Sequence, residues 1–228
     1  MASTYTDLGI ELMATGENAG TWGTKTNANL NLIEQLTGGF ATLSIAGGAG
    51  TQALDIDDGA LTGTAQQRII EFTGSITGNR IITIPNDVET FYILKNSTSG
   101  AYTVQFKYAT GSGSSTTFSA TDKGIKTVYA SANDGTNPDI VDVMANSSEI
   151  ALTNSNPIKF QDADNSAFVG IDAPATVSGS YTLTLPAAVG SASQALVTTD
   201  GSGTLGFTST SSFGISTGKA IAMAIVFG

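Results

Sequence analysis

The feature that most restricts how this chain can fold is its cadence: short stretches of alternating apolar and polar residues, each closed by a cluster of turn formers. In the middle of the chain such stretches run at 68–72, 80–84, 90–95, 102–108, 124–129 and 139–144. Their separators are Thr73-Gly74, Pro85-Asn86-Asp87, residues 96–100, Gly111-Ser112-Gly113 and Asn133-Asp134-Gly135. Side chains of a strand alternate between its two faces, whereas a helix buries a stripe recurring every three or four residues. A period of two at this spacing predicts a small sandwich or barrel-like β module. Composition points the same way. Only 12% of residues are charged and Gly numbers 27, so polarity comes mainly from Ser, Thr and amides, which suits strands and tight turns better than long solvated helices.

A second run of strands is expected around 158–161, 167–171, 181–185, 194–198 and 204–208, with Asp200-Gly201 as the hairpin turn between the last two. Residues 78–85 and 179–186 echo one another, but alternating strands ended by Pro are common, and independent origin is preferred to duplication. Large apolar side chains are thin in this second module. A small domain diluted in this way struggles to offset chain entropy alone, so association with identical copies is expected. The segment after it contains Ile221, Met223, Ile225, Val226 and Phe227 and is apolar on every face. It is therefore expected to be buried all round, as an oligomer interface.

A helical signal occurs only near the start. Thr24 or Thr26 can cap a helix whose apolar face is Leu30, Ile33 and Leu36, with Leu32 flanking and Gly38-Gly39 ending it. Before it lies a Gly-punctuated loop, 15–24, holding the single Trp, Trp22, either as a docking surface or as a cap packed on the helix. Residues 41–66 are small and acidic, with weak strand character at 53–56, and read as a connector. The division is thus 1–40 (helical attachment segment), 41–66 (connector), 67–148 (middle β module), 149–212 (distal β module) and 213–228 (apolar oligomerisation segment).

Several function classes are disfavoured. A net charge of -10 with only 9 scattered basic residues opposes nucleic-acid binding, which needs clustered Lys and Arg against phosphates. With no Cys and no His there is no disulfide framework, thiolate or imidazole metal site, or histidine base. No catalytic residue, cofactor or metal is therefore assigned. Asp7 and Glu11 stand where a secretory signal would be apolar, and the longest apolar run, 220–227, is far shorter than the roughly 20 residues of a membrane span. The expectation is a soluble chain without membrane insertion.

Three motif-like strings are read structurally. Residues 201–206 match a dinucleotide fingerprint only as a string, since a hairpin surrounds them and no acidic residue follows at the required distance. Residues 214–219 resemble a phosphate loop with the wrong glycine spacing and Ala220 where Mg²⁺ needs a hydroxyl. Asp55, Asp57 and Asp58, like Asp162, Asp164 and Asn165, could offer oxygens to Ca²⁺ or serve as paired carboxylates in glycoside hydrolysis. They lack a complete ligand spacing and are expected to be solvated loop residues.

Residues 11–34 carry the most specific signal. With Thr15-Gly16-Glu17-Asn18-Ala19-Gly20-Thr21-Trp22-Gly23-Thr24 at its centre and Asn27, Asn29, Leu30 and Ile33 beyond, this stretch resembles the opening of virion structural proteins of tailed phages, especially marine ones. Residues 92–104, Asp134-Gly135-Thr136-Asn137, and 182–186 with 195–207 are similar to β modules of phage fibres. The resemblance implies a mainly β homo-oligomer, a trimer by preference, with β-sandwich or β-prism-like modules. It implies a virion protein assembled in the host cytoplasm, fastened to another virion protein through Glu17, Asn18, Trp22, Asn27, Asn29, Leu30 and Ile33. Its modules would project toward a host surface glycan or protein. The alternatives are a capsid decoration protein and a polysaccharide-degrading fibre.

Overall fold

The computed structural model describes residues 2–150, 152, 156–164 and 166–213. Among the described residues the structure is mainly β with one α-helix, and no sheet closes into a barrel, so the barrel-like alternative falls away. The chain divides into two units, Met1–Ile150 and Ala151–Gly228.

The first unit opens with β1 (Thr4–Tyr5) paired antiparallel to β2 (Glu11–Leu12), then α1 (Trp22–Gly38). After α1 the chain winds. Three successive strand pairs follow: β3 (Phe40–Ser44) and β4 (Gly50–Ala53), β5 (Ile69–Thr73) and β6 (Arg80–Ile84), β7 (Thr90–Asn96) and β8 (Val104–Tyr108). The first strand of each pair joins one sheet and the second joins another, with β3-β5-β7 and β4-β6-β8 all paired parallel. Parallel neighbours need a crossover connection. Here the crossover from β5 to β7 is itself β6, a strand of the facing sheet. Phe40 pairs with Ile69 and Gly50 with Arg80, then Ile69 with Ile93 and Arg80 with Val104, so the first turn of this coil advances 29 or 30 residues and the second 24 in both sheets. Antiparallel strands finish the unit: β9 (Thr116–Phe118) on β8, β10 (Ile125–Ala130) on β7, and β11 (Ile140–Asp142) on β10.

The core lies between these sheets because each strand turns alternate side chains inward. Ile70, Phe72, Tyr92, Leu94 and Val128 come from the five-stranded sheet, and Ile82, Ile84, Val104, Phe106 and Phe118 from the four-stranded one; all are fully buried. Phe106 bridges the sheets, edge-on to Tyr92 at 5.5 Å and tilted against Phe72 at 6.5 Å. Burying one such side chain contributes roughly 1.5–3 kcal/mol, and an aromatic pair adds roughly 0.5–1.5 kcal/mol. The two tyrosine hydroxyls in the core are paired. Tyr92 donates its hydroxyl to the Ala65 carbonyl at 2.8 Å, and Tyr108 donates to Val88 at 2.7 Å while accepting from the Ala132 N–H at 2.8 Å. Burial raises both phenols, Tyr108 to about 12, so they remain donors at neutral pH. Asn96, stacked beyond Phe72, donates to the Asp122 carbonyl and accepts from the Thr98 N–H and hydroxyl.

Turns of the coil stack closely at their corners. Bridges Gly47–Ile76 and Ser75–Ser99 carry the ladder around the bend. Gly100 sits at φ +99°, and a Cβ there would lie 2.2 Å from the Ile76 carbonyl oxygen. The presumed connector is thus part of the coil: β3 and β4 fall within or against 41–66. Their residues are small, and it is pairing in register with β5 and β6 that makes them strands. The segments 1–40, 41–66 and 67–148 all lie in this first unit.

The second unit has two antiparallel pairs, β12 (Ile158–Gln161) with β13 (Phe168–Ile171) and β14 (Gln194–Thr198) with β15 (Leu205–Ser209), then a 3₁₀ turn at Thr210–Phe213. The strand expected at 181–185 reduces to one isolated bridge, Thr184–Thr204, because no other residue of that stretch finds a ladder partner. The last hairpin turns through 199–204 instead of two residues, held by the Asp200 carboxylate accepting the N–H groups of Ser202 and Thr204. None of the described residues of this unit is buried. Ile221, Met223, Ile225, Val226 and Phe227 lie outside the described residues.

Candidate functional site

The residues singled out at the start of the chain gather around α1 and the loop that enters it. Asn18 adopts a left-handed conformation (φ 59°), and its carbonyl accepts the N–H groups of Thr21 and Trp22 at 2.8 and 2.9 Å. This turn starts the helix at Trp22, with Thr21 at the cap position and no side-chain cap. The cap expected at Thr24 or Thr26 is corrected accordingly, because a backbone turn already serves the first amides.

The helix is tied down through Glu11, the first residue of the 11–34 stretch. Asn29 grips both sides of its backbone, accepting the Glu11 N–H at 2.9 Å and donating to its carbonyl at 2.8 Å. The Glu11 carboxylate is buried, accepts from the Asn18 amide at 3.1 Å and meets the Lys25 ammonium at 3.0 Å. Lys25 holds the Glu11 carboxyl below the usual carboxylate range, and Glu11 in turn raises the Lys25 ammonium. Ser3 donates to the exposed Glu17 at 2.7 Å. Asn18 and Asn29 are therefore internal ties, and Glu17 lies at the edge of the same network.

The apolar face expected at Leu30, Ile33 and Leu36 is divided between buried and exposed positions. Leu32 and Leu36 are buried, whereas Leu30 is 58% and Ile33 45% exposed. Trp22 is 63% exposed, so the reading in which it packs on the helix is set aside. At about 100° per residue, Trp22, Ile33 and Leu30 fall within roughly 80° of one another on the helix surface. Asn27 is exposed as well. What remains is an exposed apolar stripe that flanks the side of the helix held by Asn29, Lys25, Leu32 and Leu36.

The carboxylates considered for chemistry are mostly engaged in loops. Asp55 accepts from the Thr64 N–H and hydroxyl, which lower its carboxyl, and Asp57 accepts from the Thr62 hydroxyl. Asp58 shares a shallow open hollow with Asp7, Asp55 and Asp87, beside Tyr5 and Pro85. Asp164 accepts the Ser166 N–H and Asp162 accepts the Ser166 hydroxyl; Asn165 lies outside the described residues. Among the described residues no three His, Cys, Asp or Glu side chains gather as metal ligands would. The glycine string 201–206 runs through the β14–β15 loop into β15, where Gly203 at φ +96° lies so close to Thr182 that a Cβ would sit 2.2 Å from its carbonyl oxygen. No family description, curated protein or solved structure matches the chain.

Proposed function

We propose that this chain is a non-enzymatic structural subunit of a tailed-phage particle. In this reading α1 fastens it to another virion protein, and the β units project outward for adhesion to the host surface. The observation that carries the reading is the exposed stripe of Trp22, Leu30 and Ile33 on a helix held along its flank by Glu11 and Asn29. An apolar stripe on a pre-ordered element docks with little further loss of side-chain and backbone freedom. Aromatic anchors commonly dominate such contacts.

The second unit supplies the other half of the proposal, a homo-oligomer with a trimer preferred. Its two hairpins have no buried residue among those described, and an isolated two-stranded hairpin is marginal in water. Identical copies packing β-sandwich or β-prism-like modules together would give it a core.

Particle assembly tests the proposal. Virions assembled with a Trp22→Ala, Leu30→Ser, Ile33→Ser chain should lack the protein while the free variant keeps its fold and oligomeric state. Normal incorporation of that variant would sink the attachment role. Antibody labelling of wild-type particles separates a tail position from a capsid decoration, and new reducing ends released from host polysaccharide would instead favour a degrading fibre.

A further inference from the structure

The five-stranded sheet buries one face in the core and leaves the other uncovered. Across that outer face, register aligns Phe40, Ile69 and Ile93 in one row and Phe91, Tyr129 and Val141 in another. Phe40 is 57% and Phe91 48% exposed, and the Phe91 and Tyr129 rings sit 5.1 Å apart. Sheets built on parallel strands are normally covered on both faces. An apolar face left open on such a sheet marks a contact surface.

We propose that this face is where copies of the chain pack against one another in the first unit. The proposal rests on the reading that the second unit self-associates. Charge favours a second copy as occupant. The chain carries a net charge of -10, so identical copies repel, yet the charges within the central rows of this face are Glu71 and Lys95, an ion pair at 2.8 Å that cancels itself. Like-charged copies can meet over these rows with one exposed carboxylate at their margin, Glu89, which accepts the Tyr129 hydroxyl at 2.6 Å.

Area also favours a second copy over an independent partner. Five strands about 4.8 Å apart and five residues long at about 3.3 Å each give a footprint of roughly 300 Å². A stable complex removes about 800 Å² from each partner, so the face alone is too small to hold a separate protein. A copy already held nearby by the second unit has the high effective concentration that lets a small contact close.

The full-length chain offers a clean test because it contains no Cys. Thr127 pairs with Ile93 on the outer face. Thr127→Cys with a short bismaleimide should give covalently linked copies of the oligomer. Phe91→Asp should weaken self-association about tenfold or more in sedimentation, because a carboxylate buried beside Glu89 has no cationic partner, with secondary structure retained. If Phe91→Asp fails to fold, the Thr127→Cys cross-link still decides. An oligomeric wild type that gives no Thr127→Cys cross-link overturns this inference and leaves self-association through the second unit standing. A wild type that sediments as a monomer at micromolar concentration removes the underlying reading and this inference with it.

Discussion

The two units are written in the same vocabulary of short alternating strands and Gly-bearing turns, yet one is filled and the other is hollow. In the first, every turn of the coil lays Ile, Phe, Tyr or Leu onto the turn before it, and the inner side chains lose all contact with water. In the second, Phe160, Phe168 and Leu185 remain exposed, and Val189 is 95% exposed. The difference lies in connection more than in composition. A coil stacks each strand on a predecessor of the same chain, whereas two separate hairpins have no third layer to close on. Alternation alone therefore produces strands, and a core requires something for their inner faces to meet.

The sharpest way to break this comparison is to truncate one large apolar residue in each unit. Phe106→Ala should destabilise the first unit by about 3–5 kcal/mol, independently of protein concentration, as a cavity in a closed core does. Phe160→Ala should act instead through the oligomer, lowering a concentration-dependent melting temperature. Equal, concentration-independent losses from urea titrations of both variants would erase the distinction.

Next in size is the stacking of the coil. Gly100→Ala forces a side chain toward the Ile76 carbonyl at a φ that L residues avoid, and should cost about 2–4 kcal/mol. Gly179→Ala, where a Cβ would meet nothing within 4 Å, should stay within about 0.5 kcal/mol. Similar urea midpoints for the two would mean that the coil corners tolerate far more room than the geometry gives them.

The tie between α1 and the strand before it gives a smaller effect with a definite pH dependence. Because Glu11 is lowered by Lys25, its contribution is complete above the ordinary carboxyl value of about 4.3 and is lost as pH falls through the lower folded value. Lys25 is raised by Glu11, so its share is complete below about pH 10.4 and is lost as pH rises through the higher folded value. Hydrogen exchange should show α1 amides losing protection in acid before those of β5 to β8. Glu11→Gln should abolish that acid step. An identical acid response in the variant would assign the step to another group.

The smallest expected effect on stability, within about 0.5 kcal/mol, is from Trp22→Ala, since the ring is mostly in water. A larger loss by thermal melting would mean that the ring packs in solution and would weaken the proposal that it is a docking anchor.

How far the sequence spoke for the fold follows the same division. The strands β5, β6, β7, β8 and β10 are legible because Ile, Phe, Tyr and Val alternate with polar partners. Neighbourhood is not legible, since the 24-residue advance that pairs Ile69 with Ile93 is a property of the crossover and leaves no mark on either strand. β3 and β4 were hidden because Ala41, Gly50 and Gln52 carry no strand signal of their own. At the candidate site, the existence of α1 could be read, but four apolar residues allow two faces, and the choice is made by Asn29 and Glu11, eighteen residues apart. That pairing of an amide with a distant backbone has no sequence signature.

A coil that rises one strand spacing per turn, about 4.8 Å, whether the turn spends 24 residues or 30, is also a ruler. Each turn meets only its neighbours, so duplicating one turn in register would lengthen the unit by one notch without a new core or a new topology. Length in such a molecule can be changed by copying, in small uniform increments, while the helix at one end keeps the grip it already has.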